Sequence, residues 1–378
     1  MAKDKPKPSV TIAQEPLSNA LAAVSRVAAH VVLSPVVGAM LHIRAAKNEV
    51  WLSARNDDTF MRRRLDAKTT GEFELLLPCK LLADFTRELN GDIEIAAAST
   101  SAEITCYPQK ATVLGVDPKQ APEFPDIGTE PIAIEGDTLA WYINHVYIAA
   151  DAKAAESGRP ILSGLHLQIG DGSLLLSGAD SYCLAHQAAQ QPGELNAVLP
   201  VKTLQLIADE VPGATVEIRL SPKGDMVSFR FGDNEIISRV IEGTFPDVKR
   251  LLPKEHMVKV SVDSQDFLKA LKAVAPVTAG DANYVTMRLD HGELSLSVDD
   301  RDYASASGKV QCYTDDPDTG FAICINPKFL RNGASRLEGK VTFGFTGPQT
   351  VMSLAYEADP DLTFLIMPIA RPPADITC

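Results

Sequence analysis

The sequence is short of the patterns that build metal sites. Its six cysteines and seven histidines are scattered over 378 residues, and no two cysteines form a Cys-x-x-Cys pair. Structural zinc sites need four such ligands at close spacing, so we expect no metal, and nothing indicates a cofactor. Scattered cysteines are typical of reduced thiols, and we expect a cytoplasmic protein.

Long apolar runs are also missing. No stretch of about 18 apolar residues occurs, and the first residues lack the apolar core of a signal peptide. We therefore predict that the chain has no membrane-spanning helix and no membrane partner.

Positive charge is in deficit. Lysine and arginine number 36 against 49 aspartates and glutamates, which gives a net charge of −13 and a pI near 5.0. A generally basic, nucleic-acid-binding surface is excluded, but a locally basic face on an acidic protein is not.

The motifs of common enzyme classes are absent as well. We find no glycine-rich phosphate loop, no His-Glu-x-x-His and no Gly-x-Ser-x-Gly. Two acidic clusters remain: Asp299-Asp300 with Asp302, and "YTDDPDTG" (313–320), which lacks the closing glutamate of an EF-hand loop. We interpret both as solvated loops and predict no enzyme. A hydrolase is a minor alternative that would need a cleft gathering these carboxylates.

What the chain does contain is one strand pattern in three copies. The segments "EVWLS" (49–53), "SLLLS" (173–177) and "ELSLS" (293–297) end 124 and 120 residues apart (177 − 53 and 297 − 177). Each follows a polar pair, and these pairs are Lys47-Asn48, Asp171-Gly172 and His291-Gly292. A tight polar pair before an alternating strand predicts a β-hairpin.

Two helix patterns also occur once in each copy. The first has apolar residues at i, i+4 and i+7: Leu17, Leu21 and Val24; Leu139, Ile143 and Val146; Phe267, Leu271 and Val274. We predict Asp137 and Ser264 as N-caps of the second and third of these helices. The other pattern has a lysine near its start and closes on Gly91, Gly213 or Gly339.

A repeated tripeptide marks where the copies end. Phe-Pro-Asp occurs with Pro125 and again with Pro246, 121 residues later (246 − 125), and Pro368 follows after a further 122 (368 − 246). The sequence therefore predicts an α+β fold of three tandem domains, at 10–128, 129–253 and 254–378. Each domain would hold two helices and antiparallel sheets.

The middle and end of the chain resemble a known family. "RPILSGLHLQIGDGSLLLSGADSYCLA" (159–185), "EGTFPDVKRLLP" (242–253) and "FLIMPIA" (364–370) are similar to segments of the bacterial sliding clamp, the beta subunit of DNA polymerase III. The family patterns are Arg-Pro-x-Leu-x-Gly, Thr-Asp-x-x-Arg-Leu-Ala, Gly-x-Phe-Pro-Asp and a terminal Met-Pro. The resemblance implies a DNA-clamp domain in three copies, with two chains closing head-to-tail into a ring around double-stranded DNA.

Such a ring holds DNA by topology, without reading its sequence, and needs diffuse positive charge on the helices that line the hole. We predict that the cations opposite the apolar helix faces have this role. They are Arg26, Lys80, Arg87, Lys202, Lys269, Lys272, Lys328 and Arg331. Taken singly, each would equally suit an ordinary solvated helix face.

The resemblance also implies a pocket between domains II and III for short peptides with apolar anchors. Its partners would be the polymerase III alpha subunit, the clamp loader and other proteins with clamp-binding motifs. The predicted pocket residues are Leu162, Ala179, Ser181, Tyr182, Cys183, Leu184, Pro246, Leu251, Leu365, Met367, Pro368 and Ile369. Taken without the family, these residues would suit core packing and turns at domain junctions.

The chain departs from the family pattern in several places. Cys183 replaces the arginine before Leu-Ala, Ala179 replaces the threonine before aspartate, and a tail "PPADITC" follows the terminal segment. The first copy has "VVLSPVVGAML" (31–41) where the family has Arg-Pro-Thr-Leu-Pro-Ile-Leu. These changes favour a specialised clamp, for example a phage-borne or resistance copy. The alternative function is a scaffold of the clamp fold that binds proteins but does not encircle DNA.

Overall fold

The structure is a computed structural model that describes residues 7–28, 39–279, 284–300, 304–316 and 318–369. Most of the divergent first-copy stretch (31–38), Asp302 and the C-terminal tail lie outside these ranges. No helix in the described ranges combines the length and apolarity that a membrane crossing requires.

All six predicted helices are present, two in each copy. The helices are α1 (Gln14–Ala28), α2 (Cys79–Arg87), α3 (Gly136–Val146), α4 (Val201–Glu210), α5 (Val248–Leu251), α6 (Ser264–Val274) and α7 (Pro327–Ala334). Among the α-helices of the described residues, only the short α5 was not predicted. The apolar residues predicted at i, i+4 and i+7 of α1, α3 and α6 are all buried, as an amphipathic helix requires.

The strands fall into repeating groups along the chain. The first copy holds β1 (Ser9–Ala13), β2 (Met40–Ala46), β3 (Glu49–Arg55), β4 (Thr59–Asp66), β5 (Lys68–Thr69), β6 (Phe73–Pro78), β7 (Asp92–Ala97), β8 (Ser101–Cys106) and β9 (Gln109–Leu114). The second holds β10 (Ile132–Glu135), β11 (Gly164–Gly170), β12 (Ser173–Ala179), β13 (Cys183–Gln190), β14 (Leu195–Pro200), β15 (Thr215–Leu220), β16 (Met226–Phe231) and β17 (Asn234–Arg239). The third holds β18 (Val258–Asp263), β19 (Val285–Asp290), β20 (Glu293–Asp300), β21 (Ala304–Val310), β22 (Cys312–Thr314), β23 (Phe321–Ile325), β24 (Lys340–Phe345), β25 (Met352–Tyr356) and β26 (Asp359–Ile366).

The chain divides into two compact units. Unit 1 comprises Met1–Thr138 and Asp209–Val240, and unit 2 comprises Leu139–Ala208 and Ile241–Cys378. Unit 1 contains a five-stranded sheet, β5-β1-β7-β8-β9, and an eight-stranded sheet, β10-β15-β16-β17-β4-β3-β2-β6. Unit 2 contains a nine-stranded sheet, β14-β11-β12-β13-β26-β25-β24-β18-β22, and a four-stranded sheet, β21-β20-β19-β23. The predicted boundaries of the three domains stay a prediction.

Every copy contributes the same two series of four strands. The hairpin series is β4-β3-β2-β6 in the first copy, β13-β12-β11-β14 in the second and β21-β20-β19-β23 in the third. The flanking series is β1-β7-β8-β9, then β10-β15-β16-β17, then β18-β24-β25-β26. Where two copies meet, the flanking series of the later copy pairs with the hairpin series of the earlier one, through β17–β4 and β26–β13.

The predicted hairpins are confirmed, together with their turns. β2–β3, β11–β12 and β19–β20 are each joined by the polar pair expected from the sequence. Both residues of each pair have positive φ, from 47° to 75°, which is typical of a type I′ turn. Among the described residues, every non-glycine residue with positive φ belongs to one of these three turns.

The helix termini agree with the sequence at one end and differ at the other. Gly91, Gly213 and Gly339 have φ of 114°, 76° and 92°, as expected after a helix end. Both predicted N-caps are wrong. Asp137 lies inside the first turn of α3, which begins at Gly136, and its carboxylate accepts from the Gly213 amide. At α6, Asp263, not Ser264, accepts hydrogen bonds from the Gln265 and Asp266 amides. The carboxylate at the end of β18 already reaches these amides, so the helix begins at Ser264, which is buried.

Candidate functional site

A cluster of apolar side chains lies where β13 meets β26 in unit 2. It contains Ala179, Leu184, Val198, Phe245, Val248 and Leu365, and Leu162 packs against it half-buried. Four residues predicted for the peptide pocket are therefore brought together: Leu162, Ala179, Leu184 and Leu365. Val198, Phe245 and Val248 were not predicted, although the phenylalanine belongs to the repeated tripeptide.

The pairing of the two strands sets which side chains share a face. Leu184 is paired with Leu365, and the ladder continues with a hydrogen bond of 2.8 Å from the Met367 amide to the Tyr182 carbonyl. Side chains alternate along a strand, so Met367 continues the face that carries Leu365. Met367 is 46% exposed, which leaves a methionine at the open side of the buried cluster.

The loop before β13 is held by its own aspartate. One Asp180 carboxylate oxygen accepts hydrogen bonds of 2.6 Å from the amides of Tyr182 and Cys183. The Arg159 guanidinium donates to the Ser181 hydroxyl, and the Tyr182 ring stacks on Phe329 at 6.3 Å between centroids. Tyr182 is 62% exposed, so a rigid loop presents an accessible aromatic ring.

Cys183 points away from this cluster. It is paired with Ile366 and lies on the opposite face of the strands, in a small cavity with Ala149, Phe329 and Ile366. Burial, and secondly the nearby Asp180 carboxylate, raise the pKa of the Cys183 thiol well above its ordinary value. The thiol therefore stays protonated and unreactive at neutral pH.

Four further predicted pocket residues are not members of the buried cluster. Pro246 is exposed between buried Phe245 and Val248, and Leu251 at the end of α5 is 50% exposed. Pro368 and Ile369 are half-buried, and the Ile369 amide donates to the Cys324 carbonyl at 2.8 Å. The arrangement is a buried apolar floor with exposed apolar side chains beside it, which suits an extended peptide with apolar anchors.

All eight predicted cations lie on helices and are exposed. Arg26 is on α1, Lys80 and Arg87 on α2, Lys202 on α4, Lys269 and Lys272 on α6, and Lys328 and Arg331 on α7. α1 packs on α2 in unit 1, and α6 packs on α7 in unit 2, so each pair of neighbouring helices carries several cations. Their convergence on one DNA-binding surface stays a prediction.

Two of these cations are partly neutralised by neighbouring acids. Arg26 forms an ion pair of 2.6 Å with Asp209, and Arg87 lies 3.4 Å from Asp84. Surface pairs of this kind are weak and screened by salt, so both arginines can still exchange partners with a phosphate.

The first acidic cluster lies partly outside the described residues, which end at Asp300 and resume at Ala304. No group of three or more histidine, cysteine, aspartate or glutamate side chains in the part of the chain that the structure describes could hold a metal ion. In the second cluster, Asp316 accepts from the Asp318 amide and the Thr319 hydroxyl, which is ordinary turn chemistry.

Comparison with known proteins gives a consistent result. The family described as DNA polymerase III beta subunit, central domain, matches residues 133–247, and its C-terminal domain matches residues 249–370. Together the two matches cover more than half of the chain. A beta sliding clamp of Streptomyces coelicolor is 27% identical, over 89% of this chain and 92% of its own. The beta sliding clamp homolog GriR of Streptomyces muensis is 26% identical, over 86% and 90%.

Solved structures of the same kind share the fold. The DNA polymerase sliding clamp of Bacillus subtilis superimposes with a TM-score of 0.89, at 20% identity, over 97% of this chain and all of its own. The beta sliding clamp of C. crescentus gives a TM-score of 0.88 at 22% identity, with the same coverage.

Proposed function

Because the chain belongs to the DNA polymerase III beta subunit family, we propose that it is a sliding clamp that encircles duplex DNA and tethers the replicative polymerase. It is a processivity subunit and has no catalytic role of its own. Its place of action would be the cytoplasm, where bacterial DNA is replicated.

The proposal of a ring rests on two strands that lie at sheet edges and are paired on one side only among the described strands. β17 pairs with β4 and β26 pairs with β13, so each junction joins the end of a flanking series to the start of a hairpin series. β9 and β21 hold these same places in the first and third copies, and neither has a second partner among the described strands. An open sheet edge is a template for pairing with another chain.

These two edges are complementary. β9 is equivalent to β17 and β26, and β21 is equivalent to β4 and β13, the strands with which those two pair. If β9 of one chain pairs with β21 of a second, the reciprocal pair forms as well, and two chains close head-to-tail with two equal joints. The β9 edge ends in Leu114, which is 74% exposed, as expected for a residue that a partner covers. Domains at 10–128, 129–253 and 254–378 would then give a ring of six.

Partner proteins would dock at the β13–β26 junction. The buried cluster around Leu184 and Leu365 offers apolar contacts, and Met367 is an unbranched, adaptable side chain that can repack around different anchors. We propose the polymerase III alpha subunit and the clamp loader as its partners, each through a short peptide with apolar residues.

The first experiment is the mass of the purified protein by light scattering at micromolar concentration. We expect twice the chain mass of 40.7 kDa. Leu114→Glu places a charge on the β9 edge and should shift the mass towards one chain. Tyr313→Glu, which changes a residue of 78% exposure on β22, is the matched control and should stay dimeric.

A strict monomer at every concentration would contradict the self-closed ring and favour the scaffold alternative. A dimer is then tested on DNA. Once loaded on a nicked circular plasmid by the clamp loader, a ring stays bound at high salt and is released when the plasmid is cut. Equal retention on circular and linear DNA would argue against encirclement.

A further inference from the structure

The β4–β17 junction in unit 1 is built on the same plan as the peptide groove in unit 2. Phe60 is paired with Ile237 just as Leu184 is paired with Leu365, and Phe60 and Leu184 are 124 residues apart (184 − 60). Phe60, Ile237 and Ile127 form a buried cluster, with Phe124 packed against it. Each Phe-Pro-Asp segment thus covers its own junction, which accounts for the repeated tripeptide.

The loops at the two junctions are held in the same way. One Asn56 side-chain oxygen accepts hydrogen bonds of 2.9 and 2.8 Å from the amides of Asp58 and Thr59, as Asp180 does from its own loop. The Arg239 amide donates to the Asp58 carbonyl at 2.8 Å, the same length as the bond that Met367 makes. The two grooves are equivalent in backbone as well as in register.

Their side-chain chemistry differs at three equivalent positions. Arg55, Arg62 and Arg239 replace Ala179, His186 and Met367, and a groove of about 750 Å³ opens beside the first two arginines. The guanidinium carbons of Arg55 and Arg239 each lie 5.9 Å from the centre of the Phe60 ring.

Arg62 lies over two aromatic rings of the groove. Its guanidinium carbon is 4.5 Å from the ring centre of Phe124 and 5.3 Å from that of Trp51. Glu235 pairs with Arg62 at 2.5 Å. Of the three carboxylates that line the groove, Glu49 and Glu74 pair with Arg64 and Arg44 at 2.7 and 2.9 Å, and Glu123 is exposed. Five lysines and arginines line the same groove. The groove therefore combines an aromatic floor with a cationic border, on a chain whose net charge is −13.

We propose that this groove, lined by Trp51, Arg55, Phe60, Arg62 and Phe124, with Arg239 beside it at the Phe60 ring, is a second peptide-docking site that takes an acidic segment of a partner protein. Carboxylates of the peptide would bind Arg55 and Arg239, and an apolar or aromatic residue between them would lie on the rings. The apolar groove of unit 2 would select uncharged anchors, so one chain could hold two different partners at once.

The probe is a labelled hexapeptide, Asp-Glu-Phe-Asp-Leu-Glu, titrated by fluorescence anisotropy against the whole protein at low ionic strength. We expect saturable binding that falls at least tenfold in the double variant Arg55→Glu, Arg239→Glu. The double variant Arg288→Glu, Lys340→Glu makes the same change of charge at exposed positions of unit 2 and should bind as the native chain does. Light scattering of each variant checks that its mass is kept, and circular dichroism checks that its secondary structure is kept.

The groove also contains its own reporter, because the chain has only two tryptophans, Trp51 and Trp141. In a Trp141→Phe background, the emission of Trp51 should change on binding with the same midpoint as the anisotropy. Absence of saturable binding up to millimolar peptide would overturn the proposal. An equal loss of peptide affinity in both charge-reversed variants would also overturn it. A loss of affinity in Met367→Ala would overturn it too, because it would assign the peptide to the groove of unit 2. None of these outcomes bears on whether the chain forms a ring.

Discussion

Met367 and Arg239 hold the same place at two equivalent junctions, each two residues beyond a buried strand residue, Leu365 or Ile237. The backbone amide of each makes the same hydrogen bond, so the backbone does not distinguish them. The difference that we propose between the two grooves therefore lies in this side chain: a methionine adapts to apolar anchors, whereas a guanidinium needs an anion.

Truncating two side chains of the unit 2 groove should weaken peptide docking without unfolding the protein. Leu162 is half-buried against the cluster and Met367 is 46% exposed, so Leu162→Ala with Met367→Ala removes contact area and leaves the buried floor intact. For a labelled Ser-Leu-Ser-Leu-Phe peptide we expect a loss of affinity of about tenfold or more, because a few anchor contacts dominate such interfaces.

Met257→Ala is the matched control for this measurement, since Met257 is 48% exposed in the same unit and lies outside the cluster. Unchanged affinity in the double variant would place the neutral peptide elsewhere. Cys183→Ser should have little effect on affinity, because the Cys183 side chain lies on the other face of the strands.

Among the elements, the pairing of β4 with β17 depends on one buried carboxylate. Glu235 is 1% exposed and accepts hydrogen bonds of 2.5 Å from both Arg62 and the Ser228 hydroxyl, with Arg230 at 3.4 Å. It thereby links β4 of the first copy to β16 and β17 of the second.

Glu235→Ala should lower the free energy of unfolding of unit 1 by about 1–3 kcal/mol, because it removes the acceptor of the buried Ser228 hydroxyl and of the half-buried Arg62 guanidinium. Urea unfolding in a Trp141→Phe background, followed by Trp51 fluorescence, measures the change. Glu103→Ala, which removes the exposed partner of Lys110 in the same unit, should change the stability little. A similar small effect for both variants would contradict the structural role assigned to Glu235.

The helices and hairpins could be predicted from the sequence because their signals are local. An apolar residue at every third or fourth position is sufficient to predict a helix, and a Lys-Asn pair before an alternating strand is sufficient to predict a hairpin. The sharing of one sheet between copies could not be predicted, since β4 and β17 are far apart in sequence and any apolar strand could have been the partner. For the same reason, the face on which Cys183 lies followed only from its pairing with Ile366.

Within the candidate site, only the residues that belong to family motifs could be predicted from the sequence. The family patterns contain Leu162, Leu184 and Met367, but Val198 belongs to a strand with no distinctive residue, and it joins the cluster through the pairing of β11 with β14. The second groove was not predicted at all. Its arginines are scattered from 55 to 239, and only the register of the strands brings them around Phe60.

For the whole molecule, the acidic composition and the proposed DNA function are compatible if positive charge is confined to the helices. Lys269, Lys272, Lys328 and Arg331 are exposed on α6 and α7, opposite the apolar faces that pack into unit 2. A closed ring needs no tight contact with DNA, so these cations would act as a diffuse, salt-sensitive attraction.

Replacing these four residues with alanine should weaken binding to a short DNA duplex and make the remaining binding less sensitive to salt. The slope of log affinity against log salt should fall by about 0.9 for each phosphate contact that is lost. Fluorescence anisotropy between 50 and 200 mM salt measures this slope. The control replaces Lys254, Lys259, Arg288 and Lys340, which are exposed on loops and strands of the same unit, and should keep the native slope. If both variants lose affinity equally, the attraction comes from total charge and the four helix residues have no special position towards DNA.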